Sequence, residues 1–175
     1  ADGHSDTRLC ALAALLCSTL VYNSLGAVDE HAISNLAFVA NLTQHVRITE
    51  DDHPGEGDFE RHFPAFVWVV RDFALDLEDE RGDAIDANEY LENALREQVG
   101  FDAATAERNR VRHMLKAFFS ERRCFCLERP VLDEDRLQNL QAVPVDELRP
   151  AFLRSFAALR EHVRAVSAVK RGGRR

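Results

Sequence analysis

Two opposite charges follow directly on an apolar run in the middle of the sequence. Residues 66–70 read Phe-Val-Trp-Val-Val, and this aromatic and β-branched composition is typical of a buried strand. Arg71 and Asp72 come next. Because open α/β sheets bind ligands at the carboxyl ends of their strands, these two side chains are well placed for ligand recognition. The alternative is a structural ion pair between Arg71 and Asp72 that caps the strand.

This strand is one of three that the sequence predicts. Residues 19–22 favour a strand and precede a predicted turn at residues 23–26, and residues 124–127 form a third strand that ends before Pro130. Helices are predicted between the strands, which indicates an α/β fold with a doubly wound sheet and parallel connections. With three strands the sheet is expected to be incomplete.

Aspartates mark where three of the helices begin. Asp29, Asp86 and Asp102 each precede a segment with apolar residues at helical spacing, and Glu89 completes a capping box with Asp86. The helix after Asp29 is predicted to extend to Val46.

Two further helices are predicted towards the two ends of the sequence, at residues 8–16 and 150–169. The second of these is amphipathic and is expected to bury one apolar stripe against the sheet. That stripe consists of Phe152, Phe156, Leu159, Val163 and Val166.

The segment around the charged pair resembles a known motif. Residues 63–77 follow the pattern F-P-x-F-V-W-x-x-R-D-F-x-L-D-L, which is similar to the guanine-recognition segment of the guanylate-binding proteins, large GTPases related to the atlastins. Residues 11–24 resemble that family's segment ending in S-T-x-V-Y-N-S, and residues 117–130 resemble its F-F-x-x-x-x-C-F-x-x-D-R-P segment. The resemblance extends from about Leu9 to Gly173.

The resemblance implies roles for three side chains. Asp72 would read the guanine base, Arg71 would close the strand beside it, and Arg129 would be a second base-side residue where the guanine cap begins. Guanine presents two adjacent donors, N1–H and N2–H, and one ionised carboxylate can accept both of them. Adenine lacks this pair of donors, so such a site would reject it. For Arg129 the alternative is a solvated loop arginine.

The resemblance also implies which part of a larger domain the chain represents. Residues 1–173 would be the later part of a guanylate-binding-type GTPase domain, with a partial doubly wound, P-loop NTPase-like sheet. None of the eight glycines lies in a G-x-x-x-x-G-K-S/T loop, and the family's D-x-E-G element is absent. The first strands, the phosphate-binding loop and the Mg²⁺ ligands are therefore expected upstream of Ala1.

Two functions remain open on the sequence. One is guanine-nucleotide binding, with GTP hydrolysis and nucleotide-dependent self-association in a full-length parent protein. Its partners would be GTP, Mg²⁺ held by residues outside this chain, and a second copy that pairs through the guanine cap. The other is a non-catalytic scaffold that keeps the GTPase-like fold and binds a partner. A phosphate-binding loop in the parent protein would decide whether it is an enzyme.

Composition argues against several other classes of protein. The net charge of -8, from 22 basic and 30 acidic residues, disfavours a general nucleic-acid binder. The four cysteines do not have zinc spacing, and no uncharged apolar stretch is long enough for a transmembrane segment. Reduced thiols indicate the cytoplasm. Residues 170–175 form a basic tail or hinge that could contact anionic lipid at a membrane surface.

Overall fold

The computed structural model describes residues 16–37, 63–100 and 102–167. Within these ranges an open sheet of three parallel strands is flanked by helices. The strands, in spatial order, are β1 (Thr19–Leu25), β2 (Ala65–Arg71) and β3 (Arg122–Leu127). The helices are α1 (Glu30–Ser34), α2 (Ala87–Ala94), α3 (Ala103–Phe118), α4 (Glu134–Gln138) and α5 (Pro150–Val166), with short 3₁₀ turns at Asn35–Ala37, Leu140–Ala142 and Val145–Glu147.

The strand register brings the three carboxyl ends to one edge of the sheet. Leu25 of β1 pairs with Arg71 of β2, and Arg71 pairs in turn with Leu127 of β3. The predicted α/β class with parallel connections is confirmed. The turn predicted at residues 23–26 is wrong for its first three residues, because Asn23, Ser24 and Leu25 belong to β1. The backbone pairing of this stretch with β2 continues the strand to Leu25 and overrides its turn-like composition.

The main hydrophobic core lies on one face of the sheet. Alternate residues of β2, including Phe66 and Trp68, point into this core and are almost completely buried, as the period of two in a strand requires. The ring of Phe66 stacks on Phe119 with centroids 4.8 Å apart, and Tyr22 meets Trp68 edge to face at 5.0 Å. The indole N–H of Trp68 donates to the hydroxyl of Ser24 at 2.8 Å, so the buried polar atom is satisfied.

The opposite face is covered more thinly. Val67 and Val69 of β2 pack with Phe152 and Leu159 of α5. The predicted burial of the α5 stripe is wrong in part: Phe152 and Leu159 pack against the sheet, but no residue of this helix is fully buried, and Phe156 is 46% exposed. The reason is that α5 lies against β3. Among the described residues nothing covers this face of β1, so Val21 is also 46% exposed.

The predicted helix caps are confirmed. Asp29, Asp86 and Asp102 each accept a hydrogen bond from a backbone amide of the first helical turn, and the capping box with Glu89 is complete. Residues 8–15, the predicted helical extension towards Val46 and the basic residues 170–175 lie outside the described residues. No helix within the described ranges is both long and apolar enough to cross a membrane.

Candidate functional site

The carboxyl end of β2 is tied to both neighbouring strands. The carbonyl of Arg71 accepts a hydrogen bond from the backbone amide of Gly26 at 2.7 Å, on the β1 side. The amide of Phe73 donates to the carbonyl of Leu127 at 2.9 Å, on the β3 side. Asp72 therefore lies between two backbone positions that are fixed from opposite directions.

Between these two fixed positions, the backbone of Asp72 adopts a left-handed conformation. Its φ of 53° is the one positive value of a non-glycine residue among the described residues. Aspartate tolerates this conformation better than most residues, but it still costs on the order of 1 kcal/mol. Strain of this kind persists where the surrounding structure enforces it, and such positions cluster at binding sites. The kink turns the chain out of the strand immediately after Arg71.

The two charges of the predicted pair have different partners. The Nε of Arg71 donates to the Oδ1 of Asn23 in β1 at 2.8 Å. The Oδ2 of Asp72 lies 3.8 Å from the Nε of Arg129, beyond the end of β3. The strand-capping ion pair between Arg71 and Asp72, the alternative suggested by the sequence, is not formed. The structure instead brings Asp72 and Arg129 together and sets Arg71 against β1.

Arg129 connects the strand edge to the segment that follows. Its Nη1 lies 2.7 Å from the Oε1 of Glu134 in α4, while its Nε faces Asp72. The Arg129 side chain is 44% exposed. Its guanidinium therefore has two carboxylate neighbours within 4 Å, which a fully solvated loop arginine would lack.

These residues border an open cavity of about 570 Å³ at the sheet edge. This volume is within the range of pockets that bind small molecules. The cavity is lined by Asp72, Arg129 and Arg149 together with Leu75 and Leu132, whose side chains are 56% and 73% exposed. Two exposed leucines beside a carboxylate offer an apolar surface for a flat ring and an acceptor for its polar edge.

The carboxylate of Asp72 keeps its acceptor capacity. No hydrogen bond from a described residue reaches either oxygen, and the contact with Arg129 at 3.8 Å is longer than a hydrogen bond. The side chain is 31% exposed, so a ligand in the cavity can approach it. The arrangement can accept hydrogen bonds from two adjacent N–H donors of a ligand.

A pair of thiols on β3 adds a titratable group to the cavity. Cys126 lines the cavity, and Cys124 lies two residues earlier on the same face of the strand. A hydrogen bond from the Cys124 thiol lowers the pKa of Cys126. The same hydrogen bond, together with burial, raises the pKa of Cys124.

Several side chains at the site were not predicted from the sequence. Asn23, which holds Arg71, was assigned to a turn, and Glu134 and Arg149 had no assigned role at the site. Their contacts depend on how the segments fold together, and no local sequence pattern indicates them. Cys126 is the exception: it lies near the end of a predicted strand, and the carboxyl ends of parallel strands meet at one edge, so its place at the site could have been predicted.

The described residues of the site include donors and acceptors for a base but no set of ligands for a metal ion. Among the described residues no group of three or more His, Cys, Asp or Glu side chains is arranged to hold an ion.

Comparison with known proteins agrees with the motifs. Residues 1–171 match the model of the family described as guanylate-binding protein, N-terminal domain. The chain is 35% identical to guanylate-binding protein 1 of Mus musculus over 173 residues, which are 97% of this chain and 29% of that protein. It is 37% identical to guanylate-binding protein 2 of Homo sapiens over 175 residues, again 97% of this chain and 29% of the relative. The chain thus spans less than a third of the length of these relatives, and it belongs to the guanylate-binding protein family.

Proposed function

We propose that the cavity at the end of β2 binds the guanine base of GTP. The observation that carries this proposal is the carboxylate of Asp72. The left-handed backbone of this residue turns it out of the strand, and its carboxylate accepts no hydrogen bond from the described residues. In a protein of the guanylate-binding family, such a carboxylate is the acceptor that guanine's N1–H and N2–H require.

The neighbouring residues support this arrangement in different ways. Arg71 is held by Asn23 and keeps the end of β2 in place, so its role is orientation. Arg129, whose Nε lies 3.8 Å from the Oδ2 of Asp72, borders the cavity from the side of β3. Leu75 and Leu132 would cover the faces of the purine ring, since their exposed side chains line the same cavity.

For the full natural protein we propose GTP hydrolysis and nucleotide-dependent self-association through the cap, the segment of residues 129–149 between β3 and α5. The family supports this proposal, and residues 1–173 would then form the later part of its GTPase domain. On the cap, Leu140 and Val145 are 37% and 69% exposed, and apolar side chains of this kind favour contact with a second copy. Phosphate and Mg²⁺ chemistry would come from residues other than those of the cavity, since no phosphate-binding loop pattern occurs in the sequence.

The replacement Asp72→Asn tests the base assignment in the full natural chain. The amide offers one acceptor and one donor, so guanine's two donors would face a mismatch. We expect GTP binding to weaken by about 2–5 kcal/mol, as at other positions that lose a charged hydrogen-bond partner. Xanthine carries an oxygen in place of guanine's amino group, so binding should shift towards xanthosine triphosphate. Titration with fluorescent GTP, ATP and xanthosine triphosphate measures the change.

Two further variants serve as controls. Arg71→Ala should weaken all three nucleotides together, because Arg71 orients the strand end and reads no base edge. Asp83→Asn, in an exposed turn outside the cavity, should leave both affinity and preference unchanged. If Asp72→Asn kept the full preference for GTP over xanthosine triphosphate, Asp72 would not be the residue that reads the base.

A further inference from the structure

The two ends of the cap are joined at a single residue. β3 ends at Leu127, and the cap that follows it ends at Arg149, immediately before α5. The backbone amide of Arg149 donates to the carbonyl of Pro130 at 2.8 Å. The cap is therefore a closed loop whose entry and exit are hydrogen-bonded to each other.

The side chain of Arg149 reinforces this closure. Its Nη2 forms an ion pair with the carboxylate of Glu128, and its Nη1 donates to the carbonyl of Arg129 at 3.4 Å. Together with the backbone bond to Pro130, Arg149 contacts three consecutive residues at the start of the cap. Arg129 is the middle one of the three, so its main chain is held on both sides.

This clamp acts on the residue that faces the base-reading carboxylate. The guanidinium of Arg129 can reach Asp72, at 3.8 Å, and Glu134, at 2.7 Å, only while its main chain keeps this position. We propose that Arg149 is a positioning residue for guanine recognition, which acts through the main chain of Arg129 and couples the start of α5 to the nucleotide site. The proposal rests on the proposed binding of guanine in this cavity.

The solvent exposure of the Arg149 ion pair distinguishes a positioning role from a contribution to folding. The side chains of Arg149 and Glu128 are 36% and 37% exposed. Ion pairs of this exposure contribute little to stability, because water and salt screen them and ordering two long side chains costs entropy. Removing the Arg149 side chain should therefore leave the fold intact and loosen only the start of the cap.

The dissociation rate of a bound nucleotide is the measurement that tests the clamp. In the full natural chain, Arg149→Ala is expected to release a fluorescent GDP analogue about fivefold faster, the effect of losing one partly exposed ion pair and one hydrogen bond. The unfolding temperature without nucleotide should not change, and neither should the preference for guanine over adenine. Arg149→Lys keeps the charge beside Glu128 but lacks the planar fork, so an intermediate rate is expected.

A matched control and a double variant make the test specific. Arg154→Ala removes an exposed arginine of α5 that forms no ion pair and no side-chain hydrogen bond with another described residue, so its rate should equal that of the unmodified protein. Because Arg149 acts through Arg129, adding Arg149→Ala to Arg129→Ala should produce no further acceleration. Additive effects, or a dissociation rate for Arg149→Ala equal to that of the control, would overturn the proposal.

The nucleotide preference of the unmodified protein and of Asp72→Asn distinguishes a failure of the Arg149 clamp from a failure of guanine binding. If the unmodified protein prefers GTP and Asp72→Asn abolishes that preference, the base assignment holds whatever Arg149 does. If the unmodified protein shows no preference for guanine, both proposals are wrong.

Discussion

The interior of β2 and its carboxyl end follow opposite rules. In the interior, Trp68 is completely buried, and its one polar atom donates to Ser24 at 2.8 Å. At the end, Asp72 adopts a strained backbone and keeps a carboxylate that accepts no hydrogen bond from the described residues. The distance between these two environments is four residues. The interior is satisfied within the protein, whereas the end keeps unused acceptor capacity that a ligand can use.

This difference predicts that stability and base preference depend on different residues. Substitutions in the interior remove packing and should affect folding without changing which base is preferred. Substitutions at the end affect a residue that costs the folded state energy, so they should change recognition with little loss of stability, or even with a gain. The following experiments test this separation.

The largest effect is expected at Trp68. Replacing it with alanine removes the indole from a close-packed core and leaves the Ser24 hydroxyl without its partner, which should cost about 3–5 kcal/mol of unfolding free energy. Chemical denaturation of the full natural chain measures the loss. In molecules that remain folded, the preference for GTP over ATP should be unchanged.

The thinly covered face supplies the control for this experiment. Phe156 is aromatic but 46% exposed on α5, where it stacks on Phe152 with centroids 5.7 Å apart. Phe156→Ala should cost about 1 kcal/mol or less, because little apolar area is lost from a buried environment. Equal losses for Trp68→Ala and Phe156→Ala would contradict the assignment of the main core to the other face.

The same contrast explains what the sequence could predict. The run at residues 66–70 and the aspartate caps are local patterns, and the structure confirms both. The order of the elements was enough to predict a parallel sheet, and hence that Arg71 and Asp72 lie at the edge formed by the carboxyl ends of the strands. The sequence motifs and the family model agree on the family to which the chain belongs.

What the sequence could not predict depends on contacts between distant segments. The left-handed backbone of Asp72 depends on hydrogen bonds made by the residues on either side of it. The carbonyl of Arg71 accepts from Gly26 and the amide of Phe73 donates to Leu127, and both partners lie far away along the chain. The partner of Arg71 is Asn23, which has a turn-like composition but pairs as a strand. An amphipathic pattern also shows which stripe of α5 faces inward but not how deeply it is buried, and this is why that prediction failed.

The strain at Asp72 should be measurable as a gain in stability. Glycine adopts a positive φ without steric cost, whereas alanine keeps the Cβ that clashes there and lacks aspartate's polar side chain. Asp72→Gly is therefore expected to be about 1 kcal/mol more stable than Asp72→Ala, while both variants lose the preference for guanine. Thermal unfolding without nucleotide gives the first comparison, and nucleotide titration gives the second. If alanine proved as stable as glycine, the left-handed backbone would not be a source of strain.

The smallest expected effect concerns β3, where Cys124 and Cys126 repeat the contrast between interior and edge. The Cys124 side chain belongs to the core, and its pKa is raised by the hydrogen bond to Cys126 and by burial. Cys126 lines the cavity, and its pKa is lowered because the Cys124 thiol donates to it and stabilises the thiolate. Thiolate is the form that reacts with iodoacetamide. Cys126 should therefore be alkylated before Cys124, and its rate should rise with pH at a midpoint below that of an unperturbed cysteine.

Mass spectrometry of the alkylated full natural chain assigns the rates to individual residues. Bound GTP should slow the reaction of Cys126, because the base would occupy the cavity that this thiol lines, whereas ATP at the same concentration should not. Cys126→Ser is the control that removes the signal at this position. Protection by GTP that is lost in Asp72→Asn would locate the base between Asp72 and β3. Equal reaction of Cys126 with and without saturating GTP would show that the nucleotide binds elsewhere and that the edge of the sheet has a different role.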